Sequence, residues 1–321
     1  MTVIVYGIGA IGGSIAARLT LAGHKVAGIA RGAQFDAIHR RGLTLRTPAG
    51  EDTVDFACFA DPTEIGIGAG DTIILTVKSQ DTANALARLR AAGVENQSIL
   101  CAQNGVANER AALRYFANVY GVSVILPATY VRPGEVAAFG APNAGILEIG
   151  RFPDGTDAVT AEMAALFTAA GIAAFENPHV MGAKYAKLLQ SVGLIIEAAM
   201  GKAARQSSIA ERARLEAEAV LAAAGIAADD GHGSRPDLMT LTAIPGVDRV
   251  GPSTVQSLTR GTGSIETDFL NGEIVLLGRL HGVPTPVNAL LCTLAQRMLS
   301  ERLPLGSIAQ ADVEGALSDA A

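Results

Sequence analysis

The sequence predicts an α/β N-terminal domain built on a mixed, largely parallel sheet, followed by an all-helical C-terminal domain. Short β-branched runs alternate with helical segments through the first half, hairpin signals interrupt that alternation, and strand signals disappear after His179. The chain has 321 residues. That exceeds the roughly 250–300 residues at which a single core stops growing, so two domains are expected, over 1–178 and 179–321.

Val3, Ile4 and Val5 open the chain as a buried strand that runs into Gly7-Ile8-Gly9-Ala10-Ile11-Gly12, and a helix over 10–21 follows. This order makes the glycine pattern a dinucleotide-binding, Rossmann-type turn. Gly7 permits the tight bend, Gly9 lets the backbone approach a pyrophosphate, and Gly12 lets the helix pack close to the strand. The helix then aims its free N–H groups and positive dipole end at the phosphates. The glycines at 66–70 precede a strand and those at 261–263 follow none, so neither has this context.

A second strand over 25–30 leads to Arg31 and a helix over 33–41. Roughly 20 residues after the glycines, a carboxylate would bind the ribose 2′-OH of NAD. Arg31 stands there instead, and a guanidinium gains a bidentate contact with the 2′-phosphate of NADP. NADP is the expected cofactor, with a merely solvated arginine as the alternative.

Extended runs over 43–56 and 119–149, punctuated by Pro48-Ala49-Gly50, Pro133-Gly134 and Pro142-Asn143, read as antiparallel hairpins added to the sheet. Between them the βα alternation continues as strand 72–77, helix 81–92, strand 98–102 and helix 106–116. Helix 157–170, strand 172–175 and the Asn177-Pro178 turn close the domain. Apolar residues then recur at helical spacing over 180–200, 207–224, 265–281 and 287–301. Residues 229–233 and 245–252 read as Gly/Pro-rich loops, and those after Leu305 are expected to be poorly ordered.

A formal net charge of −6 without a Lys/Arg stripe argues against a nucleic-acid partner. No apolar run reaches the roughly 18 residues of a membrane span, and no signal sequence precedes the first strand, so a cytoplasmic protein is expected. Cys58, Cys101 and Cys292 are odd in number and widely spaced, which suits buried thiols in a reducing compartment. The five histidines lack metal-ligand spacing, and no metal site is expected.

On the helix over 180–200, Lys184, Lys187 and Ser191 border an apolar face of Met181, Tyr185, Leu188, Val192, Ile195 and Ala199, near where a cleft between domains would open. A solvated edge and a catalytic role both fit. Glu266 and Asp268 open another helix, where acids also simply complement the dipole. Lys78 and Gln103-Asn104-Gly105 follow strands at their C-terminal ends, the edge where open α/β sheets bind ligands, or are polar turn residues only.

The glycine motif with Arg31, Val77-Lys78, Gln103-Asn104-Gly105, Lys187-Leu188, Glu266-x-Asp268-Phe-Leu-Asn271-Gly272 and Gly282-Val-Pro284-x-Pro286-x-Asn288 occur in one order. In that order and spacing the chain resembles the ketopantoate reductases (2-dehydropantoate 2-reductases) over essentially its whole length. The resemblance implies NADPH-dependent reduction of a 2-oxo acid to a 2-hydroxy acid, ketopantoate to pantoate in pantothenate biosynthesis. It implies that Lys187 donates the proton and Glu266 binds the reacting oxygen. Lys78 and Asn104 would hold substrate and nicotinamide in register, and Thr254, beside Ser253, would contact the substrate carboxylate.

Three positions depart from the family's pattern. Ser191 and Ile195 stand where asparagines usually line the substrate site, and Tyr185 stands where a tryptophan is common. A less polar pocket follows, which leaves open a related dehydrogenase of a more apolar 2-oxo acid. A non-catalytic NADPH-binding regulator is the remaining reading. The helices over 265–281 and 287–301 are apolar enough to pack within one subunit or between two in a homodimer.

Overall fold

The computed structural model describes residues 1–229, 231, 235–261 and 263–319. The chain divides into two compact units, Met1–Lys184 with Asp230–Arg249, and Tyr185–Asp229 with Val250–Ala321.

The first unit begins with β1 (Val3–Tyr6), α1 (Ala10–Leu21), β2 (Val26–Ile29), α2 (Gly32–Arg41), β3 (Leu43–Thr47), β4 (Gly50–Val54) and β5 (Ala57–Phe59). There follow β6 (Thr72–Leu75), α3 (Thr82–Ala91), β7 (Ser98–Cys101), α4 (Asn108–Leu113), β8 (Val119–Ile125), β9 (Ala128–Arg132), β10 (Glu135–Ala138) and β11 (Gly140–Pro142). It continues through β12 (Ile146–Arg151), α5 (Ala158–Ala169), β13 (Ala173–Glu176) and the opening turns of α6 (Val180–Ser191).

The main sheet has the order β13-β12-β8-β7-β6-β1-β2-β5. Neighbours pair in parallel except β12, which runs antiparallel to β8, and this makes the sheet mixed. β1 is buried on both faces. Val3 and Val5 pack in one core with Ile15 and Leu19 of α1, while Ile4 and Tyr6 pack in another with Leu86 and Leu89 of α3. Period-two alternation under helices on both faces requires a continuous apolar run of this kind.

The hairpins differ in part from expectation. β3, β4, β9 and β10 are not added to the main sheet but form a second one, β4-β3-β10-β9, in which β3 and β10 are parallel. The reason lies in packing: Leu43, Leu45, Val54 and Val136 join the core of Ile15 and Leu19, so α1 is covered by a second apolar layer. A short strand, β14 (Met239–Leu241), pairs antiparallel with β11, and Asn143 Nδ2 donates to Leu238 O at 2.8 Å. These bonds group the segment with the sheets, although it follows His179. Within the loop read over 229–233, residues 230, 232 and 233 lie outside the described residues.

Among the described residues the second unit is all helical. It contains the rest of α6, α7 (Leu194–Met200), α8 (Ser208–Ala223), α9 (Ser253–Thr259), α10 (Thr267–His281), α11 (Pro286–Ser300) and α12 (Gln310–Asp319). The single helix expected over 180–200 is broken at Val192 and Gly193, and Asn271 Nδ2 takes up the Val192 carbonyl at 2.9 Å. Poor order is expected after Leu305, but among the described residues there Gln310–Asp319 form α12, whose Val313 and Leu317, one turn apart, are both buried; residues 320 and 321 lie outside the described residues.

Candidate active site

The turn after β1 shows three different demands on its glycines. Gly7 has φ +109°, and a Cβ there would lie 2.7 Å from Val77 N. A Cβ on Gly12 would meet Gly7 O at 2.2 Å and Thr76 Oγ1 at 2.4 Å, so α1 can approach β1 only with hydrogen at that position. A Cβ on Gly9 would meet nothing within 4 Å. The Thr76 hydroxyl donates to Gly7 O at 2.8 Å and fastens the turn to the end of β6.

β1 and β6 are neighbours whose following helices lead to opposite sides of the sheet, α1 to β2 and α3 to β7. This is the switch point at which open α/β sheets bind ligands. Open space at Gly9, beside a helix whose first N–H groups have no intrahelical acceptor, fits a dinucleotide pyrophosphate held by the backbone of residues 8–12.

Arg31 is the extended N-cap residue of α2, and Gly32 beside it has φ +56°. Its side chain is 64% exposed, and the guanidinium pairs with Asp81 at 3.3 Å. Gln34 braces the same edge, donating to Ile8 O at 2.9 Å and accepting from Gly134 N at 2.8 Å.

Lys78 follows β6 and Asn104 follows β7, both half-buried on the edge that carries the glycine turn. Their backbone is tied from beneath. Gln103 Nε2 donates to Val77 O and to Thr82 Oγ1, both at 2.8 Å. Thr82 Oγ1 donates to Asn108 Oδ1 at 2.8 Å, and Asn108 Nδ2 donates to Asn104 O at 3.0 Å and Ser79 Oγ at 3.2 Å. The helix expected over 106–116 begins only at Asn108, because the preceding residues form this polar turn.

Lys184 corrects the reading of a solvated edge. Its ammonium is buried against Glu109 and also donates to Gln103 O at 3.0 Å and Cys101 O at 3.2 Å. Burial, followed by the Glu109 charge, pushes the Cys101 thiol well up. Helical periodicity located the Lys184 face but could not name its partner, 75 residues away.

In the second unit Lys187 is half-buried on α6, and the Ser191 hydroxyl donates to Lys187 O at 2.8 Å. Ile195 is fully buried. Glu266 is the half-buried N-cap residue of α10, and Asp268 accepts from Gln296 Nε2 at 2.7 Å. Ser253 and the buried Thr254 open α9. The motif residues Asn271 and Asn288 prove to be structural ties: Asn271 Nδ2 donates to Asn288 Oδ1 at 3.0 Å as well as to Val192 O. Nothing in the one-dimensional pattern distinguished them from ligand contacts.

Among the described residues no group of His, Cys, Asp and Glu could hold a metal ion, and His232 lies outside them. Among the described residues no helix is long and apolar enough to cross a membrane.

Two family models match the chain, "Ketopantoate reductase PanE/ApbA" over residues 3–154 and "Ketopantoate reductase PanE/ApbA C terminal" over 180–298. A 2-dehydropantoate 2-reductase of Pyrococcus horikoshii is 28% identical over 304 residues, covering 92% of this chain and 97% of the relative. That of Aquifex aeolicus is 28% identical over 305 residues, covering 90% and 94%. Among solved structures, a PanE/ApbA family ketopantoate reductase from Ralstonia eutropha superposes with a TM-score of 0.77 at 28% identity, covering 94% of this chain and 99% of its own. A D-mandelate dehydrogenase with NADH and anilino(oxo)acetate shares the fold, with a TM-score of 0.78 at 23% identity and coverage of 94% and 99%.

Proposed function

Because this chain belongs to the ketopantoate reductase family of oxidoreductases acting on CH–OH groups, we propose that it reduces a 2-oxo acid to a 2-hydroxy acid with NADPH. Ketopantoate, reduced to pantoate for pantothenate biosynthesis, is the first candidate substrate. The observation that carries this reading is the retention of Lys187 and Glu266 in a chain matched to the family through both of its units.

NADPH, when bound, supplies the hydride. The residues of this chain hold it and manage the charge that follows. Residues 7–12 receive the pyrophosphate and Arg31 the 2′-phosphate, with Lys78 and Asn104 toward the nicotinamide. Hydride arriving at the carbonyl carbon leaves alkoxide charge on oxygen, which the Lys187 ammonium stabilises and then protonates. Glu266, as a carboxylate, orients Lys187 and accepts a hydrogen bond from the hydroxyl that forms at the reacting oxygen. Thr254 and Ser253 supply hydroxyl donors for the substrate carboxylate.

A second reading rests on Ser191 and Ile195. The Ser191 hydroxyl is directed to Lys187 O and Ile195 has no polar side-chain atom, which favours a substrate with a more apolar side chain than ketopantoate. Steady-state rates with NADPH and a panel of 2-oxo acids separate the two readings by the ranking of kcat/KM. NADPH binding without turnover of any 2-oxo acid would leave the non-catalytic regulator.

A further inference from the structure

Lys184 and Glu109 are 2% and 0% exposed, an ion pair enclosed in the first unit and unused in the chemistry above. An ammonium has three N–H donors. Here it has three acceptors, Glu109 Oε1 and the carbonyls of Cys101 and Gln103. The two carbonyls bracket residue 102, just past the end of β7, where the last sheet bond runs from Ala102 N to Leu75 O at 3.0 Å. One residue after Gln103 comes Asn104, whose own carbonyl is held by Asn108.

Stability does not explain a charged pair at this place, since well-packed apolar side chains of similar volume often replace a buried ion pair without loss. Its location does. The ammonium anchors the backbone on the near side of Asn104, and the network of Gln103, Thr82 and Asn108 anchors the far side.

We propose that Lys184 and Glu109 are positioning residues that set where the Asn104 amide meets the substrate and the nicotinamide. The proposal rests on the reading that Asn104 holds those groups. Glu109 serves by keeping Lys184 charged and directed. Its second oxygen, Oε2, is buried without a hydrogen-bond partner, so removing the ammonium alone would strand a carboxylate.

The test therefore changes both residues together. Lys184→Met with Glu109→Leu removes charge and donors. Lys184→Gln with Glu109→Gln removes the charge but keeps an amide able to donate to Cys101 O and Gln103 O. In the apolar pair kcat should fall about 10²-fold, as for a small misplacement of a contact group, and KM for the 2-oxo acid should rise. Affinity for 2′,5′-ADP, which needs only the glycine turn and Arg31, should not change. The amide pair should stay close to the parent in kcat. Parental kcat in the folded apolar pair overturns the proposal, as does an amide pair that falls as far as the apolar one or a parallel loss of 2′,5′-ADP affinity. If the apolar pair does not fold, the amide pair decides alone: near-parental kcat supports the proposal and a 10²-fold loss refutes it. A parent without turnover would refute the proposed function instead. The pair would then be read from the fluorescence of bound NADPH in a chain with no tryptophan. A changed nicotinamide emission with constant 2′,5′-ADP affinity supports the proposal, and an unchanged emission overturns it.

Discussion

The Arg31 guanidinium stands 3.3 Å from the Asp81 carboxylate, so the cation at the end of β2 already faces an anion from the turn after β6. Both side chains are exposed, at 64% and 38%, and the pair contributes only about 0–1 kcal/mol to stability. Its consequence is for coenzyme choice. A carboxylate beside Arg31 repels a 2′-phosphate and leaves a ribose hydroxyl unaffected. Asp81→Asn should therefore raise kcat/KM with NADPH relative to NADH by about 2- to 5-fold, the scale of an exposed charge interaction. Arg31→Asp should lower it with NADPH by about 10- to 100-fold, and far less with NADH, through loss of a charge-assisted contact. Initial rates with both coenzymes at low salt check this, and equal effects on the two would remove Arg31 from phosphate recognition.

Gly9 and Gly12 should fail in different ways. A methyl on Gly12 must displace Gly7 O or Thr76 Oγ1, at a cost of about 1–3 kcal/mol for overpacking. A methyl on Gly9 meets no protein atom, and its φ of −91° suits alanine. Gly12→Ala should lower the Tm of the ligand-free protein, whereas Gly9→Ala should keep that Tm and weaken NADPH binding. Melting curves and coenzyme titrations on the two variants decide. A Gly9→Ala variant with parental affinity would place the pyrophosphate elsewhere.

Lys187→Ala should reduce kcat by about 10² to 10⁴ while NADPH affinity stays near that of the parent, because the lysine acts on the developing alkoxide. Single-turnover rates alongside coenzyme titration separate these effects. An unaltered kcat would remove Lys187 from the mechanism.

The strand-end positions of the glycine turn, Arg31, Lys78 and Asn104 were legible because each belongs to a local pattern, a strand end followed by a turn or a helix start. The ties beneath them were not. Gln103 meets Thr82 across 21 residues and Lys184 meets Glu109 across 75, and helical periodicity tells which face a residue occupies but not what it faces. The parallel pairing of β3 with β10 was hidden for the same reason, since each hairpin reads alike whether it extends the main sheet or begins another. α12 escaped because its buried apolar signal is one pair, Val313 and Leu317, in an otherwise polar or small stretch.

Asn288 holds together three segments of the helical unit. Its Nδ2 donates to Ala213 O at 2.9 Å and Glu216 Oε2 at 2.8 Å, and its Oδ1 accepts from Asn271. Glu216 in turn accepts the N–H groups of Val287 and Asn288 at the start of α11, at 2.8 and 2.9 Å. Asn288→Ala would leave several buried groups short of a partner, at about 1–3 kcal/mol for each one stranded. Urea unfolding should show a loss of at least about 2 kcal/mol. A variant as stable as the parent would mean that water or neighbouring groups replace the asparagine.

Asp157 should give stability a measurable acid limb. Burial alone would push its carboxyl up, but Tyr120, Arg151 and the backbone N–H groups of Thr160 and Val159 all donate to it and hold it below its ordinary value. A carboxyl lowered on folding stabilises fully above its unfolded pKa, about 3.9, and loses that contribution as pH falls through the lower folded value. Asparagine can still cap α5, so Asp157→Asn removes the charge while keeping an N-cap acceptor. The Tm of the parent should therefore exceed that of the variant by a steady margin from neutrality to about pH 5, and the margin should shrink below about pH 4 as the carboxylate is protonated. Thermal melts of both proteins across that range measure it. A margin that persists unchanged to about pH 2 would show that hydrogen bonding alone, and not the negative charge, accounts for the cap.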